Sequence, residues 1–209
     1  MAQGIDVSKW QGVIDWQTVK NSGKVDFAII KAGGSDAGFY QDAYFERNYA
    51  ECKKHGIPVG AYYFVGNRFW TVEDGVADAK RFLKQLQGKQ FELPIYLDIE
   101  AQNTAYRRGI TEAAQAFCNY LELQKAFVGI YGSEYSTFEE MVYKEDLRQY
   151  SWWIANYSRQ PRENFLIWQK SSKGVIAGIS GNVDLNTADT NKLEAVKNAI
   201  KKKGLNKWK

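Results

Sequence analysis

The stretch that most limits what this chain can become is Leu93-Pro94-Ile95-Tyr96-Leu97-Asp98-Ile99-Glu100, an apolar run that closes on two carboxylates. In a strand, residues i and i+2 point to one side, with Cα atoms roughly 6.6 Å apart at a rise of about 3.3 Å per residue. Asp98 and Glu100 then share one face, and Leu97 and Ile99 take the other. Pro94 suits the first position of such a strand, where its missing N–H costs least. Two acids this close push one pKa upward, which divides them into a proton donor and an ionised partner. Paired carboxylates of that kind cleave glycosidic bonds. The plainer reading is a strand end whose acids are solvated or paired with Lys or Arg, and the rest of the chain has to decide.

Short apolar runs alternate with amphipathic stretches through the first two-thirds of the chain. Strands are expected at Gln3–Val7, Asp26–Ala32, Ile57–Val65, Pro94–Glu100 and Phe127–Tyr131. Helices are expected at Asp15–Asn21, Gln41–Lys54, Val72–Leu86 and Thr111–Lys125, with a short one around Phe138–Val142. The clearest is Val72–Leu86, where Val72, Val76, Ala79, Leu83 and Leu86 draw a stripe behind the N-cap Thr71. In the last third, Trp152–Asn156, Phe165–Gln169 and Ile179–Leu185 read as strands joined by turns, before an amphipathic helix at Lys192–Lys203. Alternating βα units predict an α/β fold with a parallel sheet or barrel. With 209 residues against ~250 for a typical (β/α)₈ barrel, several helices must be missing. One domain over residues 1–209 is expected, with a basic helix and tail from about residue 191 and no separate wall-binding module.

Composition removes several chemistries. A His-dependent triad would have to run through the single histidine, His55, whose place in a Lys-Lys-His-Gly-Ile-Pro turn disfavours it, and histidine-rich metal sites have no material. Cys52 and Cys118 belong to no CxxC pattern and are expected as free thiols. No metal and no cofactor are expected. The glycines form neither GxGxxG nor a Walker pattern, which disfavours a phosphate site. A net charge of +4 does not demand nucleic acid, though it suits approach to an anionic polymer such as a bacterial wall. The N-terminus Met-Ala-Gln-Gly-Ile-Asp lacks a basic n-region and an apolar h-region, and no apolar run reaches membrane-spanning length. The expectation is a monomer outside the membrane, reaching a wall by phage-type release from the host cytoplasm or with a leader removed.

If the strands are parallel, their C-terminal ends share one rim, where barrel enzymes keep their chemistry. That rim reads Asp6, Lys31, Tyr62 and Tyr63, Asp98 and Glu100, Tyr131, Trp153 and Asn156, Trp168 and Gln169, and Asp184. Acids and aromatics from the whole length of the chain converge there, as a carbohydrate-active site requires. Aromatics form 15% of the chain, enough to supply both a core and sugar platforms.

At this point a resemblance becomes specific. Gly4-Ile-Asp-Val-Ser-Lys-Trp-Gln-Gly12, Ile29-Ile-Lys-Ala32, Gly60-Ala-Tyr-Tyr-Phe64 and Leu97-Asp-Ile-Glu100 match family 25 of the glycoside hydrolases, the CH-type lysozymes of phage endolysins and bacterial autolysins. Trp153-Ile-Ala155, Trp168-Gln169 and Val183-Asp-Leu-Asn186 continue the match in family order. The resemblance implies a flattened TIM-like barrel with about eight strands and fewer than eight helices. It also implies hydrolysis of the β-1,4 bond between N-acetylmuramic acid and N-acetylglucosamine in peptidoglycan. By position, Glu100 corresponds to the general acid, Asp98 to its partner, and Asp6 and Asp184 to the remaining active-site acids. Lys31, Tyr62, Tyr131, Trp153 and Trp168 are the candidates for substrate binding. After Lys31 the chain reads Ala-Gly-Gly-Ser-Asp where the family more often has Thr and Glu, so one subsite departs from the pattern. A chitinase or endo-N-acetylglucosaminidase is the related alternative, disfavoured by the lack of a longer acidic series. A wall-binding module without activity is the other, disfavoured by retention of all the acids.

Overall fold

A computed structural model describes residues 1–208. Nine strands, in chain order, are β1 (Ala2–Val7), β2 (Phe27–Gly34), β3 (Tyr40–Gln41), β4 (Val59–Phe64), β5 (Ile95–Asp98), β6 (Val128–Ser133), β7 (Ser151–Ala155), β8 (Ile167–Gly174) and β9 (Val183–Ala188). The α-helices are α1 (Trp16–Asn21), α2 (Phe45–Lys54), α3 (Val72–Leu86), α4 (Arg107–Leu123) and α5 (Thr190–Lys203), with one-turn 3₁₀ segments and a π-helical turn at Ser136–Met141 between them. The sheet runs β1-β9-β8-β7-β6-β5-β4-β2, and β1 pairs β2, so eight strands close into a barrel and β3 hangs on the β2 edge. This is the TIM-like α/β barrel with reduced helices that the βα alternation and the short chain predict.

Two cores follow from the alternation of side chains along each strand. Between sheet and helices lie Ile30, Ala61, Tyr63, Leu97, Ile130 and Ile154, packed with Phe82 of α3 and Phe117 of α4. Inside the barrel lie Phe27, Ile29, Tyr96, Tyr131, Trp153 and Ile167. Large rings fit inside because the strands beside them carry glycine. Gly129 pairs in register with Tyr96, and a Cβ there would stand 2.3 Å from the Tyr96 ring; a Cβ on Gly4 would stand 2.3 Å from the Phe27 ring. At the bottom of the barrel, fully buried Asn206 donates to the Leu93 carbonyl at 2.8 Å and accepts from the Phe127 amide at 2.7 Å. That ties the segment after α5 under the starts of β5 and β6.

Several expected boundaries move, each for a visible reason. The helix expected from Gln41 begins at Phe45, because Tyr40 and Gln41 pair with Gly34 and Gly33 as β3. On α3 the bounds match, but Val72 is exposed and the buried face runs through Gly75, Asp78, Ala79, Phe82 and Leu86. The reason is the close crossing with α4, where a Cβ on Gly75 would lie 2.1 Å from the Ala113 carbonyl oxygen. The larger change concerns the last strand. It starts at Val183, after glycines at positive φ (Gly178 and Gly181), and runs antiparallel to both β8 and β1. Asp184 therefore opens its strand rather than closing one, and the reversed direction still delivers it to the rim where the parallel strands end.

Gly129→Ala should lose about 1–3 kcal/mol of stability by overpacking against Tyr96 and the Ser151 carbonyl. Denaturant unfolding reads this directly, and an unchanged midpoint would contradict the ring-against-glycine packing.

Candidate active site

The ends of β1, β2, β4, β5, β6 and β7 and the start of β9 surround a cavity of about 220 Å³. Its walls include Asp6, Lys31, Tyr62, Asp98, Glu100, Tyr131, Trp153 and Asp184. Larger hollows exist, one of about 740 Å³ between α4, the starts of β6 and β7, and α5, but its only acid is Glu122 beside Arg148, Lys192 and Lys203. Among the described residues the smaller cavity gathers four carboxylates, whereas two other hollows hold two each, Asp15 with Glu51 and Asp26 with Glu194.

Asp98 is the deepest of the acids. It is 3% exposed, and its Oδ1 is buried with no hydrogen-bond partner. Burial raises its pKa well above the usual carboxylate range, the neighbouring Glu100 charge raises it further, and the Lys31 ammonium opposes both. Glu100 lies just past the end of β5 at the open mouth and is exposed as a residue. The walls still crowd its carboxyl, and that burial raises its pKa; the Tyr131 hydroxyl and then the Lys31 ammonium work against the rise, and Asp184 adds to it. The Lys31 ammonium is held 4.6 Å from the Phe64 ring centre and 5.8 Å from that of Tyr62.

Asp6 and Asp184 face each other in register across the β1–β9 pair that helps close the barrel. Asp6 is 5% exposed; burial lifts its pKa well above the ordinary value, and the Asp184 charge adds to this. Its Oδ2 accepts from the Gln169 amide at 2.9 Å and from the Asn186 amide at 2.8 Å. Asp184 is raised by burial and held down by its hydrogen bond with Asp6, as expected when two carboxyls share a proton.

The aromatic candidates separate by strand face. Trp153 is 1% exposed and forms the floor, with Tyr131 at 4.2 Å and Tyr62 at 5.9 Å between ring centres. Its indole N–H donates to Asn186 Oδ1 at 2.8 Å. A ring so enclosed supports the site from beneath and offers no face to a sugar. Trp168 is not brought into the cavity: along β8 it alternates with the inward Gln169, and its indole donates to the Asn156 carbonyl at 2.7 Å. Tyr63 likewise turns outward, its hydroxyl donating to Asp78 Oδ1 of α3 at 3.1 Å. Trp10, 80% exposed beside the cavity, is a platform that the residue pattern does not single out. Its exposed place follows from Ser8 and Gln11, which cap the 3₁₀ turn carrying it. Gln169 and Asn186 are the other omissions. The sequence puts Gln169 on the rim without a role, since neutral amides carry no charge signal. His55 contacts Glu51 at 3.2 Å, and Cys52 and Cys118 are free and buried.

A barrel with several raised-pKa carboxylates at the C-terminal rim of its strands is the working end of a glycoside hydrolase. The profile of the glycosyl hydrolases family 25 matches residues 5–179, and the chain belongs to that family. Uncharacterized protein YegX of Escherichia coli K12 is 30% identical over 193 residues, covering 88% of this chain and 68% of its own. Lysozyme M1 of Streptomyces globisporus is 30% identical over 213 residues, covering 88% of this chain and 66% of its own. A solved family 25 glycosyl hydrolase from Bacillus anthracis superposes with a TM-score of 0.80 at 25% identity, over 95% of this chain and 93% of that one.

The buried acids make stability depend on pH with a definite sign. Asp98 has a folded pKa above its unfolded value, so folding favours its protonated form. Its contribution is fully present below the unfolded value of ~4 and is lost as pH rises through the folded value. Asp98→Asn should therefore melt above the wild type at pH 8, with the gap closing toward pH 4 and below. An equal gap at every pH would contradict a strained buried carboxyl.

Proposed function

We propose that this chain is a lysozyme of the muramidase type, hydrolysing the β-1,4 bond between N-acetylmuramic acid and N-acetylglucosamine in bacterial peptidoglycan. The observation that carries the reading is the gathering of Asp98, Glu100, Asp6 and Asp184 in one cavity, in a chain that belongs to family 25. Residues 1–209 act as one catalytic domain, a reading supported by the single closed barrel and the family match over residues 5–179. The site of action is the bacterial wall. Among the described residues no helix is long and apolar enough to cross a membrane.

Glu100 protonates the leaving glycosidic oxygen. It is the acid at the open mouth, where a polymeric chain can reach it, and crowding already raises its pKa toward that task. Asp98 lies deeper and holds an oxygen with no partner. An acetamido N–H of the substrate would satisfy that oxygen, which supports a role in orienting the acetamido group and stabilising the charge it develops as internal nucleophile. An N–H donated to Asp98 favours its ionised form, and a glycan over the mouth removes water from Glu100, so bound substrate favours the proton on Glu100. Asp6 and Asp184 shape the far wall, and Trp10 offers an exposed ring to the glycan.

Digestion of purified cell walls, with the new reducing ends identified, tests the reading. Reducing-end muramic acid is expected; reducing-end glucosamine would make the enzyme an endo-N-acetylglucosaminidase, and no release at all would leave a binding module. In the same assay Glu100→Gln should hydrolyse at least ~10²-fold more slowly. Its wall binding should persist, because most contacts to a long glycan lie away from the transferred proton.

A further inference from the structure

In a parallel sheet the hydrogen bonds along each side of a strand are evenly spaced, so each bond fixes the place of the next. On the β6 side of β5 the ladder reaches the Ile99 N–H, which donates to the Tyr131 carbonyl at 3.1 Å. Its next bond would join the Ser133 N–H to the Ile99 carbonyl. The Thr137 hydroxyl stands between them instead, accepting from the Ser133 N–H at 3.1 Å and donating to the Ile99 carbonyl at 2.7 Å. On the β4 side the Val65 N–H donates to the Asp98 carbonyl at 3.1 Å, and the next bond would take the Glu100 N–H to the Val65 carbonyl. The Gln102 side-chain amide occupies that place, donating to the Gly66 carbonyl at 2.7 Å and reaching the Val65 carbonyl at 3.4 Å. Both ladders therefore end in a side chain just before Glu100. Among the described residues, the Glu100 N–H and carbonyl make no hydrogen bond to other backbone groups.

We infer that Thr137 and Gln102 are positioning residues that hold the segment from Ile99 to Gln102 off the sheet and so set Glu100 at the mouth, apart from Asp98. A strand that stayed in both ladders would keep the two acids on one wall at one depth. With the ladders interrupted, Asp98 remains 3% exposed while Glu100 is exposed. Each positioning residue is itself held from behind. Thr137 is fully buried in the π-helical turn Ser136–Met141, an irregularity frequent at functional sites. Gly132 gives it room, since a Cβ there would stand 2.4 Å from Thr137 Cγ2. The methyl wedged against that glycine restricts the β-branched side chain and aims its hydroxyl at Ile99. Gln102, 6% exposed, grips a loop that is tied down in turn. There the Gly66 N–H donates to Ser35 Oγ at 3.0 Å, and the Ser35 hydroxyl donates to Asp78 of α3 at 2.9 Å. Neither Thr137 nor Gln102 lines the cavity, so both act through the acid they place. The inference deepens the proposed function and rests on Glu100 as the proton donor.

Thr137→Val keeps the shape of the side chain and removes its hydroxyl. In the substrate-free protein the nitrogen-15 order parameter of the Glu100 amide should fall from about 0.85, the rigid-backbone level, toward ~0.6. That of Asp98, still paired on both sides, should hold. On cell walls kcat should drop about 10- to 10²-fold with KM little changed, because a misplaced acid leaves the glycan contacts intact. Thr137→Ser restores the hydroxyl and should regain much of the loss. In a Glu100→Gln background Thr137→Val should cost little more, since the group it places no longer delivers a proton. An equal loss in both backgrounds, or an unchanged Glu100 order parameter in Thr137→Val, would overturn the inference. Gln102→Met, read by the same measurements, decides if Thr137→Val does not fold. Because the order parameter needs no substrate, it judges the inference even if walls are not cut, and a lack of wall hydrolysis counts against the proposed function alone.

Discussion

The mouth of this barrel depends on holding carboxylates where little water reaches them. An ionised carboxyl taken out of water is costly unless donors or opposite charge replace the solvent. Here the replacements are mostly neutral. Asp6 receives two amide N–H groups and faces Asp184 in register, and one cation, Lys31, leans toward Asp98 and Glu100 from among aromatic rings. Full neutralisation by arginine or lysine would hold every acid ionised and leave none to give a proton. Sparse compensation keeps the proton in the site, and the raised pKa of each of the four acids is its signature.

The barrel makes that arrangement rigid. β1 closes the sheet by pairing β2 on one side and β9 on the other, and its register sets Asp6 opposite Asp184. Beneath them, Trp153 packs against Tyr131 and Tyr96 at ring-centre distances of 4.2 and 5.3 Å, over strands that carry glycine where a side chain would collide. The floor therefore cannot sink when the acids repel one another. Loops above it are braced in the same way: Glu134 accepts from the Arg162 amide at 2.6 Å and pairs with Arg159 at 3.0 Å, fixing the loop that carries Tyr157.

Much of this was legible in the residues because strand periodicity is a local property. The alternation in Tyr96-Leu97-Asp98-Ile99-Glu100 places both acids on the inner face, and the structure puts Tyr96 inside and Leu97 and Ile99 among the helix-facing core. What was not legible depends on partners far along the chain. The direction of β9 follows from a hairpin with β8 whose turn glycines look like any loop. Trp168 reads as a rim aromatic until the register of β8 turns Gln169, not Trp168, inward. Trp10 sits in a loop motif whose exposure comes from a cap between Ser8 and Gln11. Gln169 and Asn186 matter through where their amide hydrogens point, and that is set by an indole and a carboxylate from other strands.

The central claim is a division of labour: Glu100 delivers a proton, while Asp98 acts on the substrate's acetamido group. A muramic-acid glycoside with an activated aryl leaving group tests it most directly, because such a leaving group barely needs protonation. With this substrate the Glu100→Gln enzyme should recover a large part of the rate it loses on cell walls, and Asp98→Asn should stay inactive. Recovery of both variants to the same extent, or of Asp98→Asn alone, would contradict the division.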